Sequence, residues 1–131
     1  MTNDALSKVA DAERDVDRYI FEHRVRPTIT VDTIAEHRSN PFGAGHSPEL
    51  EVLLRYLRRN PVRSRPRYML VETKPYQEWC IALHSRQRGE PLVLTGERFG
   101  SQAEAQHEIF LKRLLDLGDP VITRIVETAR D

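Results

Sequence analysis

Three short apolar runs joined by tight turns constrain this chain more than any other feature. RYMLVET (67–73), EWCIALHS (78–85) and PLVLT (91–95) read as strands, with KPYQ and the Gly89-containing segment 86–91 as their connections. A parallel crossover needs a dozen or more residues, so connections this short leave only an antiparallel meander. In the second run Trp79, Ile81 and Leu83 alternate with Cys80, Ala82 and His84, which is the period of a strand with two distinct faces.

Helical patterns flank these runs on both sides. Leu6, Val9, Ala10, Val16 and Ile20 fall on one face at helical spacing, with Asn3 or Asp4 as a cap, and Pro27 is expected to end or interrupt the helix. A shorter helix is expected from Val31 to His37 behind Thr30, facing inward with Val31, Ile34 and Ala35. Ser47-Pro48-Glu49 opens a third: the Ser hydroxyl accepts from free backbone N–H groups, and Pro at the first position loses no hydrogen bond. Leu50, Leu53, Leu54 and Leu57 form its apolar stripe, and Asn60-Pro61 stops it. After the strands, Ser101-Gln102-Ala103-Glu104 has capping-box spacing and opens a long helix, with Ala103, Phe110, Leu114 and Leu117 on one face and Ile109 and Leu111 widening it. Gly118 is a C-cap, and Asp119-Pro120 restarts a last helix carrying Val121, Ile122, Ile125 and Val126. The order ααα-βββ-αα predicts an α+β domain, with helices packed on a three-stranded antiparallel sheet.

A length of 131 residues fits a single domain, 1–131. Within it lie an N-terminal amphipathic helix (1–27), a helix–loop–helix (28–61), the sheet (67–95) and the C-terminal helices (101–131). Hydrophobic content is 39% against 31% charged, so the core is small or a partner completes the surface. Formal net charge is zero, which removes any long-range pull toward nucleic acid and favours association, including a homo-oligomer. One cysteine excludes an internal disulfide framework. No apolar run approaches the roughly 20 residues of a membrane span, and MTNDALSKVADAERD lacks a signal peptide's basic and apolar regions. The expectation is a cytoplasmic protein without a membrane segment.

A search for chemistry finds no self-sufficient active site, and no catalytic, cofactor-binding or metal-ligating residue is assigned. His23, His37, His46, His84 and His107 share no metal-ligand spacing and read as scattered surface or capping residues. Cys80, mid-strand beside Trp79, reads as a buried inert thiol. There is no GxSxG elbow, and Gly43-Ala44-Gly45 lacks the spacing of a phosphate cradle.

Two features remain. In the loop before the third helix, Asn40 and Pro41 are turn residues, and Gly43 and Gly45 suit positive φ. Phe42 and His46 either hold that loop to the body of the protein or dock a partner. The second feature is a cluster of arginines, Arg55, Arg58, Arg59, Arg63, Arg65 and Arg67, with no acidic residue among them. It suits a phosphate-contacting patch, an arginine-rich protein interface or a solvated helix end. A third option is a small-molecule pocket between the Leu50–Leu57 helix and the sheet.

The segments EHRSNPFGAGHSPEL, VLLRYLRRNP, EWCIALHS and GERFGSQAEAQHEIFLKRLLDL, in that order across about residues 34 to 117, resemble the small (alpha) subunit of bacterial N,N-dimethylformamidase and its relatives. That resemblance implies a partner: a large catalytic chain that hydrolyses the amide of dimethylformamide at a mononuclear iron, against which the small subunit packs. No cofactor is then expected in this chain, and no catalytic residue carries over. Asn40, Pro41, Phe42, Gly43, His46, Arg55, Arg58, Arg59 and Arg63 become candidate partner-interface residues. A nucleic-acid-binding or regulatory module using the Arg55–Arg67 cluster is the alternative function.

Overall fold

A computed structural model describes residues 3–130, with side chains described from Ser7 onward. The expected Asn3 or Asp4 cap and the side chain of Leu6 therefore lie outside the described residues. Helix α1 spans Asn3–Ile20, then widens into a π-helical turn, Phe21–Val25, and tightens into a 3₁₀ turn, Arg26–Thr28. Regular α-helix thus ends well before Pro27, which sits near the start of the 3₁₀ turn, where a missing N–H is tolerated. The expected inward face of α1 is uncovered: Val9 and Val16 are each 57% exposed and Ile20 44%. The core instead begins beyond the helix, at Val25 and Ile29.

Helix α2, Val31–Ser39, starts from a reciprocal cap. The Thr33 backbone N–H donates to Thr30 Oγ1 at 3.1 Å, and the Thr30 N–H donates to Thr33 Oγ1 at 3.0 Å. Thr33 Oγ1 also lies 2.7 Å from the Thr28 carbonyl, to which it donates, so the cap faces inward. This orientation buries Thr33, Ile34 and His37 and leaves Val31 and Ala35 exposed, against the expectation for those two.

Helix α3, Pro48–Arg59, buries Leu50, Leu53 and Leu57 behind the Ser47 cap. Strands β1 (Arg67–Lys74), β2 (Glu78–His84) and β3 (Val93–Phe99) form one antiparallel sheet in the order β1-β2-β3, the expected meander. The tight β1–β2 turn has Pro75 at its second position and Tyr76 at positive φ (61°), closed by Gln77 N–H to the Lys74 carbonyl at 3.0 Å. Helix α4, Gln102–Asp116, follows the Ser101 cap, whose hydroxyl accepts from Glu104 N–H at 3.3 Å. Gly118, at φ +71°, turns the chain into α5, Pro120–Arg130. The fold class is α+β.

Helices α2 to α5 and the Phe21–Ile29 segment enclose the main core, built around Leu50, Leu53, Phe110, Leu111, Leu114 and Ile122. Asp119 fastens its far side: the carboxylate caps α5 through Val121 N–H (2.9 Å) and Ile122 N–H (3.3 Å) and pairs with Arg26. Among the described residues, α4 is the helix that makes substantial contact with the sheet. Ala105, Ile109, Lys112 and Asp116 recur at helical spacing on its sheet side. Lys112 pairs with Glu97 at 2.7 Å, and Asp116 accepts from the Tyr68 hydroxyl at 2.5 Å. By strand alternation the opposite sheet face carries Met69, Val71, Cys80, Ala82 and Leu94, with Cys80 and Ala82 fully buried beneath their neighbours.

Leu53 is fully buried at the centre of this core, so Leu53→Ala is expected to lower unfolding free energy by roughly 2–5 kcal/mol. Urea denaturation followed by circular dichroism measures it; a loss well under 1 kcal/mol would contradict the packing described.

Candidate functional site

A groove between α3 and α4 lies near the residues singled out by the sequence. Helix α3 rests on α2 and the Phe21–Thr28 segment, while α4 rests on α2, α5 and the sheet. One lobe, of about 310 Å³, lies among Leu57, Arg58, Pro66, Tyr68, Arg113 and Asp116. A second, of about 180 Å³, lies among His37, Pro41, Leu54, Gln106 and Phe110 and shares Leu57, Arg58 and Arg113 with the first. The larger lobe is where the sequence reading placed a pocket, between α3 and the sheet.

The arginine run does not form one surface. Arg58 and Arg67 line the larger lobe, whereas Arg65 Nε stands 3.8 Å from the Asp116 carboxylate. Arg55, Arg59 and Arg63 are exposed and line neither lobe. Two further arginines in the larger lobe, Arg86 and Arg113, lie far along the chain, and no local pattern marks them. Tyr68 is held above its usual pKa, first by burial and then by its hydrogen bond to Asp116, so its hydroxyl remains a donor at neutral pH.

The loop before α3 is clamped rather than loose. Glu36, on α2, accepts from the Ser47 backbone N–H at 2.6 Å and from the Ser47 hydroxyl at 2.5 Å, while Ser47 Oγ accepts from Leu50 N–H at 3.2 Å. The Ser47 bonds pull the Glu36 carboxyl below its usual range. His46 Nε2 donates to the Asn40 carbonyl at 2.7 Å, closing the loop at its base. Gly45 takes positive φ (+81°) as expected, but Gly43 does not. A Cβ on Gly43 would meet only the exposed Asn40 side chain, whose amide can turn away, so neither backbone conformation nor fixed neighbours demand glycine there. Pro41 borders the smaller lobe, and Phe42, 56% exposed, is not stapled to the core.

Two histidines depart from the scattered-surface reading. His37 (2% exposed) and His107 (6%) meet through their Nδ1 atoms at 2.8 Å, and the His37 ring stacks on Phe110 with centroids 3.9 Å apart. One ring must donate and the other accept, which requires the accepting ring to be neutral. Both are held down to about 4, chiefly because burial penalises the charged ring. For His37 the nearby His107 and His46 add to this; for His107, Arg38 and Arg130 add and Glu108 opposes. Seventy residues separate the pair, so no spacing rule could have joined them. Cys80 is fully buried in β2, and its Sγ points a weak donor at the Ile81 carbonyl. Among the described residues no group of three or more His, Cys, Asp or Glu side chains is arranged to hold a metal.

The family model for the N,N-dimethylformamidase alpha subunit matches residues 11–123. The chain is 34% identical over 88 residues to the N,N-dimethylformamidase alpha subunit of Paracoccus aminophilus, covering 66% of this chain and 60% of that relative. It is 32% identical over 114 residues to the N,N-dimethylformamidase alpha subunit of an Alcaligenes species, covering 80% of this chain and 84% of that relative. The aligned part thus spans less than two thirds of the Paracoccus protein and most of the Alcaligenes one.

The histidine pair predicts a sign for the pH dependence of stability. An unfolded imidazole titrates near 6.5, and these two do so near 4 when folded, so the unfolded chain binds the extra protons. Their stabilisation is complete above pH 6.5 and is lost as pH falls toward 4. Chemical-shift titration is expected to show both rings neutral at pH 5.5, with a urea midpoint lower there than at pH 7. A ring titrating near 6.5 would refute the buried neutral pair.

Proposed function

The chain belongs to the N,N-dimethylformamidase alpha subunit family, and from that premise we propose that it is a non-catalytic small subunit that stabilises and positions a large catalytic chain. The family match over residues 11–123 carries the reading. Apolar surface left uncovered in the isolated chain supports it. Val9, Val16, Tyr19 and Ile20 on α1, Phe42 in the clamped loop and Leu92–Leu94 at the β3 edge are all more than 40% exposed. Surfaces of this kind mark association sites when they are contiguous or rigidly held.

The Asn40–His46 loop is the strongest candidate for the docking contact. Its two ends are fixed by Glu36–Ser47 and His46–Asn40, so Phe42 is presented at little entropic cost. Arg55 and Arg59 on α3 and Arg63 just beyond its C-terminal end are exposed and suit the rim of an interface. Amide hydrolysis belongs, in this reading, to the large chain, as does the iron. Among the described residues, no helix is long and apolar enough to cross a membrane. The alternative nucleic-acid module is less favoured because Arg65 already faces the Asp116 carboxylate at 3.8 Å while Arg58 and Arg67 line the groove.

Co-expression with the large chain and native mass spectrometry test the reading, with a mixed assembly as the expected result. Phe42→Asp is expected to weaken that assembly by about tenfold or more, on the scale of an interface anchor, while leaving the thermal unfolding of the isolated chain unchanged. A chain that stays apart from the large chain at micromolar concentrations would overturn the proposal.

A further inference from the structure

The larger lobe of the groove gathers more positive charge than the fold uses. Arg58 comes from α3, Arg67 from β1, Arg86 from the β2–β3 connection and Arg113 from α4, and all four line it. Among the described residues, none of these four stands within ion-pair distance of a carboxylate. The lobe's own carboxylate is already engaged, since Asp116 accepts from Tyr68 at 2.5 Å and faces Arg65 at 3.8 Å. Arg86 donates through Nε to the Arg65 carbonyl at 2.9 Å, which fixes its stem and leaves its terminal nitrogens without a partner among the described residues. Holding like charges together is unfavourable unless a counter-charge joins them. The strain registers at Arg113, whose pKa is lowered by desolvation and then by Arg67 and Arg86. Leu57, Val62, Pro66 and Leu117 make the remaining wall apolar. A volume of about 310 Å³ is in the range of small-molecule sites.

We propose that this lobe binds a small organic dianion, a phosphate monoester or a dicarboxylate carried on an apolar body. The oxyanion lies among the four guanidinium groups, and the body rests on the Leu57–Leu117 wall. Planar guanidinium forks bind such oxygens bidentately, which point-charge lysines would not do. Two negative charges fit better than one, because Asp116, the acid among its described lining residues, is already faced by Arg65. The Tyr68 hydroxyl is committed to Asp116, so anion binding falls to the arginines. The inference does not draw on the family match and stands whether or not a large chain binds.

Isothermal calorimetry on the full chain, at low salt and fixed ionic strength, tests it with phenyl phosphate, phthalate, inorganic phosphate and phenol. Phenyl phosphate or phthalate is expected to bind, inorganic phosphate more weakly, and phenol without measurable heat. Whichever of the first two binds identifies the ligand class. Arg86→Gln and Arg113→Gln are each expected to reduce affinity by about tenfold or more, the loss of one charge-assisted pair. Arg86 lies on an exposed connection, so its variant reports even if Arg113→Gln fails to fold. The proposal is overturned if neither dianion binds beyond a sodium chloride control. It is equally overturned if Arg86→Gln and Arg67→Gln bind like the wild type.

Discussion

Helix α4 has to satisfy two neighbours at once, and the rest of the structure is arranged around that requirement. Phe110, Leu111 and Leu114 close the helical core, while Ala105 and Ile109 are buried outside that cluster, on the stripe whose Lys112 and Asp116 bond the sheet. A helix packed on two sides needs an apolar arc wider than a simple amphipathic stripe. The cost is that polar residues fall inside. His107 is one of them: its Nδ1 pairs with His37, while its buried Nε2 has no hydrogen-bond partner among the described residues.

The same helix borders the groove. Side chains from α3, β1, the β2–β3 connection and α4 border one space. The rigid loop at the other end is a separate device. Glu36 and His46 tie it down through backbone and cap groups, which lets Phe42 remain exposed without the loop being free. One end of the groove thus carries uncompensated charge, and the loop beside the other carries an ordered apolar residue.

Much of the fold was legible because it rests on local rules. The meander follows from connection length, and the starts of α2, α3 and α4 follow from Thr30, Ser47 and Ser101. The failures were equally physical. The apolar face of α1 obeys helical spacing, yet nothing among the described residues covers it, because periodicity states which residues share a face and not whether a neighbour exists. Val31 and Ala35 were expected inside, but the Thr30–Thr33 cap and the Thr33 bond to Thr28 set the orientation of α2. Gly43 looked like a backbone-conformation residue, but it does not take positive φ, whereas Gly45 does.

For the site, the sequence marked the loop and half of the charge. Arg58 and Arg67 belonged to a visible cluster, but Arg55, Arg59 and Arg63, which looked equivalent to them, do not line the groove. By itself, then, the sequence determined the element types, the strand connectivity and the caps, since each depends on residues within a few positions of one another. Only the tertiary structure decided which arginines converge, which histidines pair and which apolar faces stay open. Those outcomes depend on how elements dozens of residues apart pack, and nothing in local spacing encodes that distance.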